Sequence, residues 1–183
     1  MLPLEALTRA GAEITNYGGS GMSVMEMSHR SKAFDRIFQD TKTKLRQLLQ
    51  VPDSHEILFL QGGASTQFSA VPLNLMGRTG KADYAVTGHF AQVAAKEAGK
   101  YGQVSLAADV SGENFTTIPA QEALRLDPGA SYFYYCSNNT IYGTEWQYVP
   151  ETGAVPLVCD MSSDILSRAR LVQHPLRVLV PHP

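Results

Sequence analysis

A glycine-containing turn between two apolar segments constrains the fold of this chain more than any other feature. The turn, Gln61–Gln67 (QGGASTQ), follows the apolar run Ile57–Leu60 and precedes a segment with apolar residues at helical spacing. This order predicts a strand, a tight turn and the first turn of a helix. N–H groups at a helix start have no intrahelical partner and the helix dipole adds positive charge, so such a turn can bind a phosphate group. An ordinary strand-to-helix connection is the alternative.

The rest of the chain alternates between strand-like and helix-like segments. Helices are predicted at Leu4–Ile14, Phe34–Leu49, Phe68–Met76 and Phe90–Tyr101, and strands at Ile57–Leu60, Tyr84–Val86, Val104–Leu106, Tyr132–Cys136 and Val155–Cys159. Alternation of this kind predicts an α/β fold with a largely parallel sheet covered on both faces. Ligands of such sheets bind outside the carboxyl ends of the strands, so we expect the site there. No repeat or low-complexity linker marks a second domain.

Composition and charge exclude several classes of function. The chain is 44% hydrophobic and 17% charged, as is typical of soluble globular proteins, and its net charge is −2. That charge offers no electrostatic reason to expect nucleic acid or an anionic membrane as a partner. No apolar run approaches the roughly 18 residues of a membrane-spanning helix, and the N-terminus lacks the layout of a signal peptide. We therefore expect a cytoplasmic protein.

The cysteines and histidines do not indicate a metal site. Cys136 and Cys159 each end a strand-like apolar run without a CxxC partner, which favours buried free thiols over a disulfide or a zinc site. His55, His174 and His182 lack the spacing of metal ligands, and we interpret them as surface residues.

Three further motifs carry a resemblance to a known family. They are Met27–Ser31 (MSHRS), Gln67–Leu75 (QFSAVPLNL) and Cys159–Ser163 (CDMSS). Together with the glycine turn they resemble the phosphoserine aminotransferases, which belong to the class V aminotransferases that use pyridoxal 5′-phosphate (PLP). The resemblance runs from about Leu2 to about Arg168 and covers about half of a family member. It implies the three-layer large domain of fold type I PLP enzymes, with a mainly parallel sheet, incomplete in this chain.

The resemblance assigns the phosphate and the ring nitrogen of PLP to particular residues. The phosphate would be held by the glycine turn and by Ala64 and Ser65 after it, and many members carry an arginine where this chain has Ser65. Asp160 matches the carboxylate that keeps the pyridine nitrogen protonated. Taken alone, Asp160 could instead be a helix cap in the run Asp-Met-Ser-Ser.

Two more residues match family positions around the ring of the cofactor. Thr140 would bond near the ring hydroxyl, at the end of a stretch that matches the family pattern Asn-Glu-Thr with Asn139 in place of glutamate. Phe90 stands where the family often has tryptophan, and either aromatic side chain can lie against a pyridine face. Taken alone, Thr140 would be a turn residue and Phe90 a core residue.

His29 and Arg30 are the candidate substrate-binding residues. In the family, the matching Ser-His-Arg-Ser segment reaches into the site of the partner subunit of a homodimer and helps bind the phosphate of the substrate. Arginine suits this task because its planar fork matches phosphate oxygens. Taken alone, the two residues would be a solvated pair ahead of a helix.

The chain departs from the family in one chemically decisive way. It contains no Gly-Ala-Gln-Lys-Asn segment, which supplies the Schiff-base lysine, so the resemblance assigns no catalytic residue here. Residues 1–168 form the predicted PLP-binding portion, whereas the tail Ala169–Pro183 diverges, and its three prolines suit neither a strand nor a helix. A shifted reading frame or a truncated gene would produce such a tail.

The activity implied by the resemblance belongs to serine biosynthesis. An amino group passes from glutamate to 3-phosphohydroxypyruvate, giving O-phosphoserine and 2-oxoglutarate. Two alternatives remain open at this point: another class V aminotransferase or a desulfurase, and a non-catalytic fragment.

Overall fold

The computed structural model describes residues 2–168 and 176–179, which fall into two compact units, residues 1–50 and 51–183. The first unit contains helices α1 (Leu4–Glu13) and α2 (Lys32–Leu49). The second contains helices α3 (Gly63–Leu75) and α4 (His89–Ala98) and all the strands. Within the described residues, no helix is both long enough and apolar enough to cross a membrane.

The ends of α2 are defined by local hydrogen bonds. The Ser31 hydroxyl accepts a bond from the Phe34 N–H at 3.1 Å, which caps the first turn. The helix ends at Gln50, whose left-handed backbone lets its N–H bond back to the carbonyls of Arg46 and Gln47. Both helices predicted in the first unit are confirmed.

The second unit is built on a five-stranded parallel sheet. Its strands are β1 (Lys81–Val86), β2 (Gln103–Asp109), β3 (Phe133–Cys136), β6 (Leu157–Asp160) and β7 (Leu176–Leu179), and a separate antiparallel pair is formed by β4 (Asn138–Asn139) and β5 (Thr144–Glu145). The order across the sheet is β2-β1-β3-β6-β7, and every neighbouring pair is parallel. The predicted α/β class with a mainly parallel sheet is confirmed.

Alternation along the strands separates the two faces of the sheet. One face contributes Tyr84, Tyr134 and Val158 to a core shared with Phe68 of α3 and the alanines of α4. The other face contributes residues such as Phe133 and Leu157 to a second core, closed by Leu124, Trp146 and Val155 from irregular segments. Because side chains two apart share a face, Asp160 faces the helices, as Val158 does.

One predicted strand is absent from the sheets of the described residues. Ile57–Leu60 forms no regular element and belongs to no ladder, and Leu58 and Leu60 are 67% and 63% exposed. The β-branched and aromatic composition of this run favours a strand only where a neighbouring strand supplies hydrogen bonds, so the prediction was wrong for this chain.

The divergent tail contains a strand that we did not predict. Leu176–Leu179 pairs with β6 in parallel register, from Leu157 opposite Leu176 to Asp160 opposite Leu179. The expectation that the prolines exclude a strand was wrong because Pro175 and Pro181 flank these four residues and interrupt none of their N–H groups. His174 and His182 lie outside the described residues, and the division at residue 168 stays a prediction.

Candidate cofactor-binding site

Helix α3 begins at the carboxyl edge of the sheet. Its C-terminal end lies where β1 starts, because the Gly80 N–H donates to the Met76 carbonyl at 2.8 Å and the Ser131 hydroxyl donates to the same carbonyl at 3.1 Å. Ala64 and Leu75, near the two ends of α3, pack against the same core. A helix of this length spans about 20 Å, as does a six-residue strand, so its first turn reaches the opposite edge.

The turn that starts α3 requires glycine. Gly62 has a φ of 103°, and a Cβ atom there would lie 2.3 Å from the Thr66 Oγ1 atom. The first bond of the helix runs from the Thr66 N–H to the Gly62 carbonyl at 3.3 Å. The N–H groups of the three residues between them, including Ala64 and Ser65, precede this bond and have no intrahelical acceptor. They form the donor set that an anion needs.

Helix α4 also starts at the carboxyl edge, directly after β1. A Cβ atom on Gly88 would lie 2.4 Å from the Asn139 Oδ1 atom, so the close approach of Asn139 requires glycine here. Phe90 lies in the first turn of α4 and is 44% exposed, with its ring at the edge of the His89 ring. The exposed ring does not fit a core role and can receive a planar ligand.

A buried polar cluster ties the β4–β5 hairpin to the end of β1. The Asn139 amide donates to the Thr87 hydroxyl at 3.2 Å and to the Thr144 hydroxyl at 3.0 Å. The Trp146 indole N–H donates to the same Thr87 hydroxyl at 3.3 Å. Thr140 follows Asn139 in an exposed turn, so the cluster fixes the backbone that carries Thr140 beside the start of α4.

Asp160 ends β6 and is only 6% exposed. Its Oδ2 atom accepts a hydrogen bond from the Tyr134 hydroxyl at 2.9 Å, and the Cys136 thiol lies 3.9 Å from the same atom. Its Oδ1 atom accepts bonds from the backbone N–H and the hydroxyl of Ser162. The chain forms turns rather than a helix from Ser162 to Arg168, so a helix cap does not account for this carboxylate.

Burial keeps the two groups beside Asp160 neutral. It raises the pKa of the Tyr134 phenol and that of the Cys136 thiol well above their ordinary values, and the nearby carboxylate acts in the same direction. Both groups therefore remain protonated at neutral pH. Cys136 and Cys159 are buried thiols that are not joined in a disulfide, as predicted.

Comparisons with known proteins identify the family of this chain. The model of the family described as aminotransferase class-V matches residues 1–174. The chain belongs to the class-V aminotransferase family.

Relatives in this family are identical to the chain at about half of the aligned positions. It is 51% identical over 168 residues to the phosphoserine aminotransferase of Laribacter hongkongensis, covering 92% of this chain and 46% of that protein. It is also 51% identical over 168 residues to the Drosophila melanogaster enzyme of the same name, covering 91% of this chain and 46% of that protein. This class-V chain thus spans about half the length of these relatives.

Solved structures of the family show the same fold. The phosphoserine aminotransferase of Bacillus circulans subsp. alkalophilus superposes with a TM-score of 0.87 at 43% identity, covering 92% of this chain and 46% of that chain. The PLP-bound phosphoserine aminotransferase of Trichomonas vaginalis superposes with a TM-score of 0.85 at 42% identity, covering 94% and 48%.

The predicted site residues are divided between the two units of the chain. The structure puts Ala64, Ser65, Phe90, Thr140 and Asp160 on elements that meet the carboxyl edge of the sheet. Those in the first unit are His29 and Arg30, both exposed, in a turn where the Ser31 N–H donates to the Ser28 carbonyl. The substrate-binding role of these two and the cofactor-binding role of the other five stay predictions.

Sequence reasoning missed the buried groups that support these side chains. Thr87, Tyr134 and Trp146 bond to residues of the site or its hairpin. Tyr134 lies in an apolar run that indicates only a core strand and Thr87 directly follows such a run, whereas Trp146 lies in a mixed segment for which no element was predicted. The only available signal was the polar tip on each of these side chains, which must find a partner when buried.

Proposed function

We propose that this chain is the cofactor-binding part of a phosphoserine aminotransferase. The observation that carries the proposal is the buried carboxylate of Asp160 at the sheet edge where α3 and α4 begin. The 51% identity to two phosphoserine aminotransferases over 168 residues supports the same assignment.

The residues at this edge fit PLP. The N–H groups of Ala64 and Ser65 would bind its phosphate, as helix starts bind anions in general. The Asp160 carboxylate would hold a proton on the ring nitrogen, Phe90 would supply an aromatic face for the ring, and Thr140 would supply a hydroxyl for the ring oxygen. When bound, PLP supplies the electron sink for breaking bonds at the carbon that carries the amino group.

The proposed substrates are glutamate and 3-phosphohydroxypyruvate, with O-phosphoserine and 2-oxoglutarate as products. His29 and Arg30 carry the phosphate recognition, which in the proposed homodimer acts on the site of the partner subunit. Both side chains are exposed ahead of a capped helix. They are suited to this role because exposed side chains can contact a ligand in the site of a second subunit. The Arg30 guanidinium supplies the positive charge for this recognition, and its planar fork matches phosphate oxygens.

A specific observation supports a second candidate, in which this chain alone binds PLP without turning over substrate. Lys81 starts β1 at the amino edge of the sheet and pairs with Asp127. Lys96 and Lys100 lie at the end of α4, just before β2 begins at that same edge. The lysines of the second unit are therefore a sheet length away from the edge that carries Asp160.

A chimera tests the activity. Residues 2–168 of this chain replace the matching segment of the Laribacter hongkongensis enzyme, and phosphoserine is measured by mass spectrometry with glutamate and 3-phosphohydroxypyruvate as substrates. We expect product from the phosphorylated keto acid and far less product from unphosphorylated hydroxypyruvate. A folded chimera that makes no phosphoserine contradicts the proposal, and equal rates on both keto acids favour another class V aminotransferase.

A further inference from the structure

The Tyr134 hydroxyl reaches Asp160 from a neighbouring strand. In the register of β3 and β6, Tyr134 lies opposite Val158 and Cys136 lies opposite Asp160, so Tyr134 and Asp160 are diagonal neighbours on one face. The hydroxyl donates to the Asp160 Oδ2 atom at 2.9 Å. Both side chains are buried, which makes this bond costly to lose.

The two oxygens of Asp160 are held in different ways. Oδ1 is bonded by Ser162, which is only two residues further along the chain, in the turn that follows β6. Oδ2 is bonded by Tyr134, which lies on β3, the central strand of the sheet. The Cys136 thiol, at 3.9 Å, is a much weaker donor. The phenol is therefore the strong donor that fixes the plane of the carboxylate relative to the sheet.

We propose that Tyr134 is a positioning residue for Asp160, whose hydroxyl offsets the buried negative charge and orients the carboxylate toward a protonated ring nitrogen. This inference rests on the proposed function. Tyr134 acts through Asp160 and makes no contact with the cofactor in this scheme. The same bond leaves one lone pair of Oδ2 available for the ring N–H.

The ring of Tyr134 is held independently of its hydroxyl. It stacks on the Tyr84 ring with centroids 4.8 Å apart and an interplanar angle of 22°. Tyr84 in turn exchanges a hydrogen bond of 2.7 Å with the Tyr132 hydroxyl. Removal of the Tyr134 hydroxyl therefore leaves the ring in place, and Tyr134→Phe tests the hydrogen bond alone.

The chain offers a matched control two residues earlier. Tyr132 points to the same face and is equally buried, and its hydroxyl bonds to Tyr84 rather than to Asp160. Tyr132→Phe deletes the same atom from the same surroundings without touching the carboxylate. If both variants lose the same stability, a difference between them in ligand binding is due to the bond with Asp160 and not to the loss of stability.

The test measures binding of pyridoxamine 5′-phosphate, which needs no covalent bond to the protein, by calorimetry. We expect Tyr134→Phe to weaken binding about tenfold, the effect of one hydrogen bond to a charged group, and Tyr132→Phe to change it less than about twofold. With ¹⁵N in the ring of the ligand, the bound nitrogen should move toward the unprotonated chemical shift in Tyr134→Phe only.

Three outcomes overturn the inference, and they can be distinguished from one another. If Asp160→Asn abolishes the effect of Tyr134→Phe, the residues act as a unit, whereas an undiminished tenfold loss in that background assigns Tyr134 a merely structural role. Equal affinity and an equal ¹⁵N shift in wild type and Tyr134→Phe remove the inference and leave the proposed function intact. A folded wild-type chain that binds no pyridoxamine 5′-phosphate removes both.

Discussion

The backbone of Gly88 approaches Asn139 so closely that a Cβ atom on Gly88 would lie 2.4 Å from the Asn139 Oδ1 atom. This contact joins the start of α4 to the β4–β5 hairpin, and so joins the elements that carry Phe90 and Thr140. The Asn139 side chain cannot retreat without breaking its bonds to Thr87 and Thr144.

We expect Gly88→Ala to lower the free energy of unfolding by about 1–3 kcal/mol, as overpacking of a buried contact generally does. Urea unfolding measures the change. Gly112→Ala is the control, because a Cβ atom there meets nothing within 4 Å. Equal stability of the two variants would show that the hairpin can move away from α4.

Substitution of Gly62 should weaken anion binding as well as stability. Gly62→Ala combines a left-handed φ of 103° with a Cβ contact of 2.3 Å to the Thr66 Oγ1 atom, which displaces the first turn of α3. Gly153→Ala also has a positive φ, of 60°, but meets nothing within 4 Å. Calorimetry should show a loss of affinity for pyridoxamine 5′-phosphate only in Gly62→Ala. The same affinity in both variants would exclude the turn from the phosphate site.

Replacing an aspartate by asparagine should weaken ligand binding at the carboxyl edge of the sheet but not at the amino edge. Asp160→Asn removes the negative charge that pairs with the ring nitrogen, and we expect a loss of affinity for pyridoxamine 5′-phosphate of about ten- to a hundredfold. Asp127→Asn removes a carboxylate at the amino edge, where it pairs with Lys81, and should leave the affinity unchanged. The reverse ranking would place the ligand at the amino edge.

Reduction with borohydride in the presence of PLP should leave the chain without a stoichiometric phosphopyridoxyl label. The lysines of the second unit lie at the amino edge of the sheet, and Lys81 and Lys100 are paired with Asp127 and Glu97. Peptide mapping by mass spectrometry detects the label. One lysine labelled to completion would contradict the proposal that this chain binds PLP only non-covalently.

The buried tyrosines should make stability fall at alkaline pH. Burial raises the pKa of Tyr132 to about 12, and it raises the pKa of Tyr84 further, so the folded chain keeps protons that the unfolded chain loses from about pH 10. Since the folded state then binds more protons, the free energy of unfolding falls as pH rises through the window from about 10 to 12.

Urea unfolding followed by circular dichroism between pH 8 and pH 11 measures this slope. Tyr132→Phe should flatten it, whereas Tyr101→Phe, at a position that is 38% exposed, should not. Identical slopes in the two variants would contradict the assignment to buried phenols.

Most of the sheet and its helices could be predicted because their patterns are local. The apolar stripe of α2 lies within one continuous segment, and β1 and β3 each contain a run of apolar or aromatic residues that is visible in the chain itself. Ile57–Leu60 shows the same local pattern but joins no ladder. Whether this segment forms a strand depends on a neighbouring strand, and a local sequence pattern holds no information about that neighbour.

The supporting contacts of the candidate site could not be predicted because they are long-range. Tyr134 and Asp160 are 26 residues apart, and Thr87 and Trp146 are 59 apart. Nothing in the residues between them specifies which strands become neighbours. The motif residues were found through resemblance, whereas the groups that hold them in place required the sheet order β1-β3-β6.

Trp146 is the only tryptophan of the chain, fully buried, with its indole N–H bonded to Thr87 and its ring packed 5.2 Å from the rings of Tyr135 and Tyr148. Indole emission depends on the polarity of its surroundings, so the intrinsic fluorescence of this protein reports one location, the base of the hairpin that presents Thr140. Its emission maximum should move to longer wavelength when that hairpin opens, even while the rest of the sheet stays folded. Trp146 is thus an intrinsic fluorescence probe of local opening at this edge of the sheet.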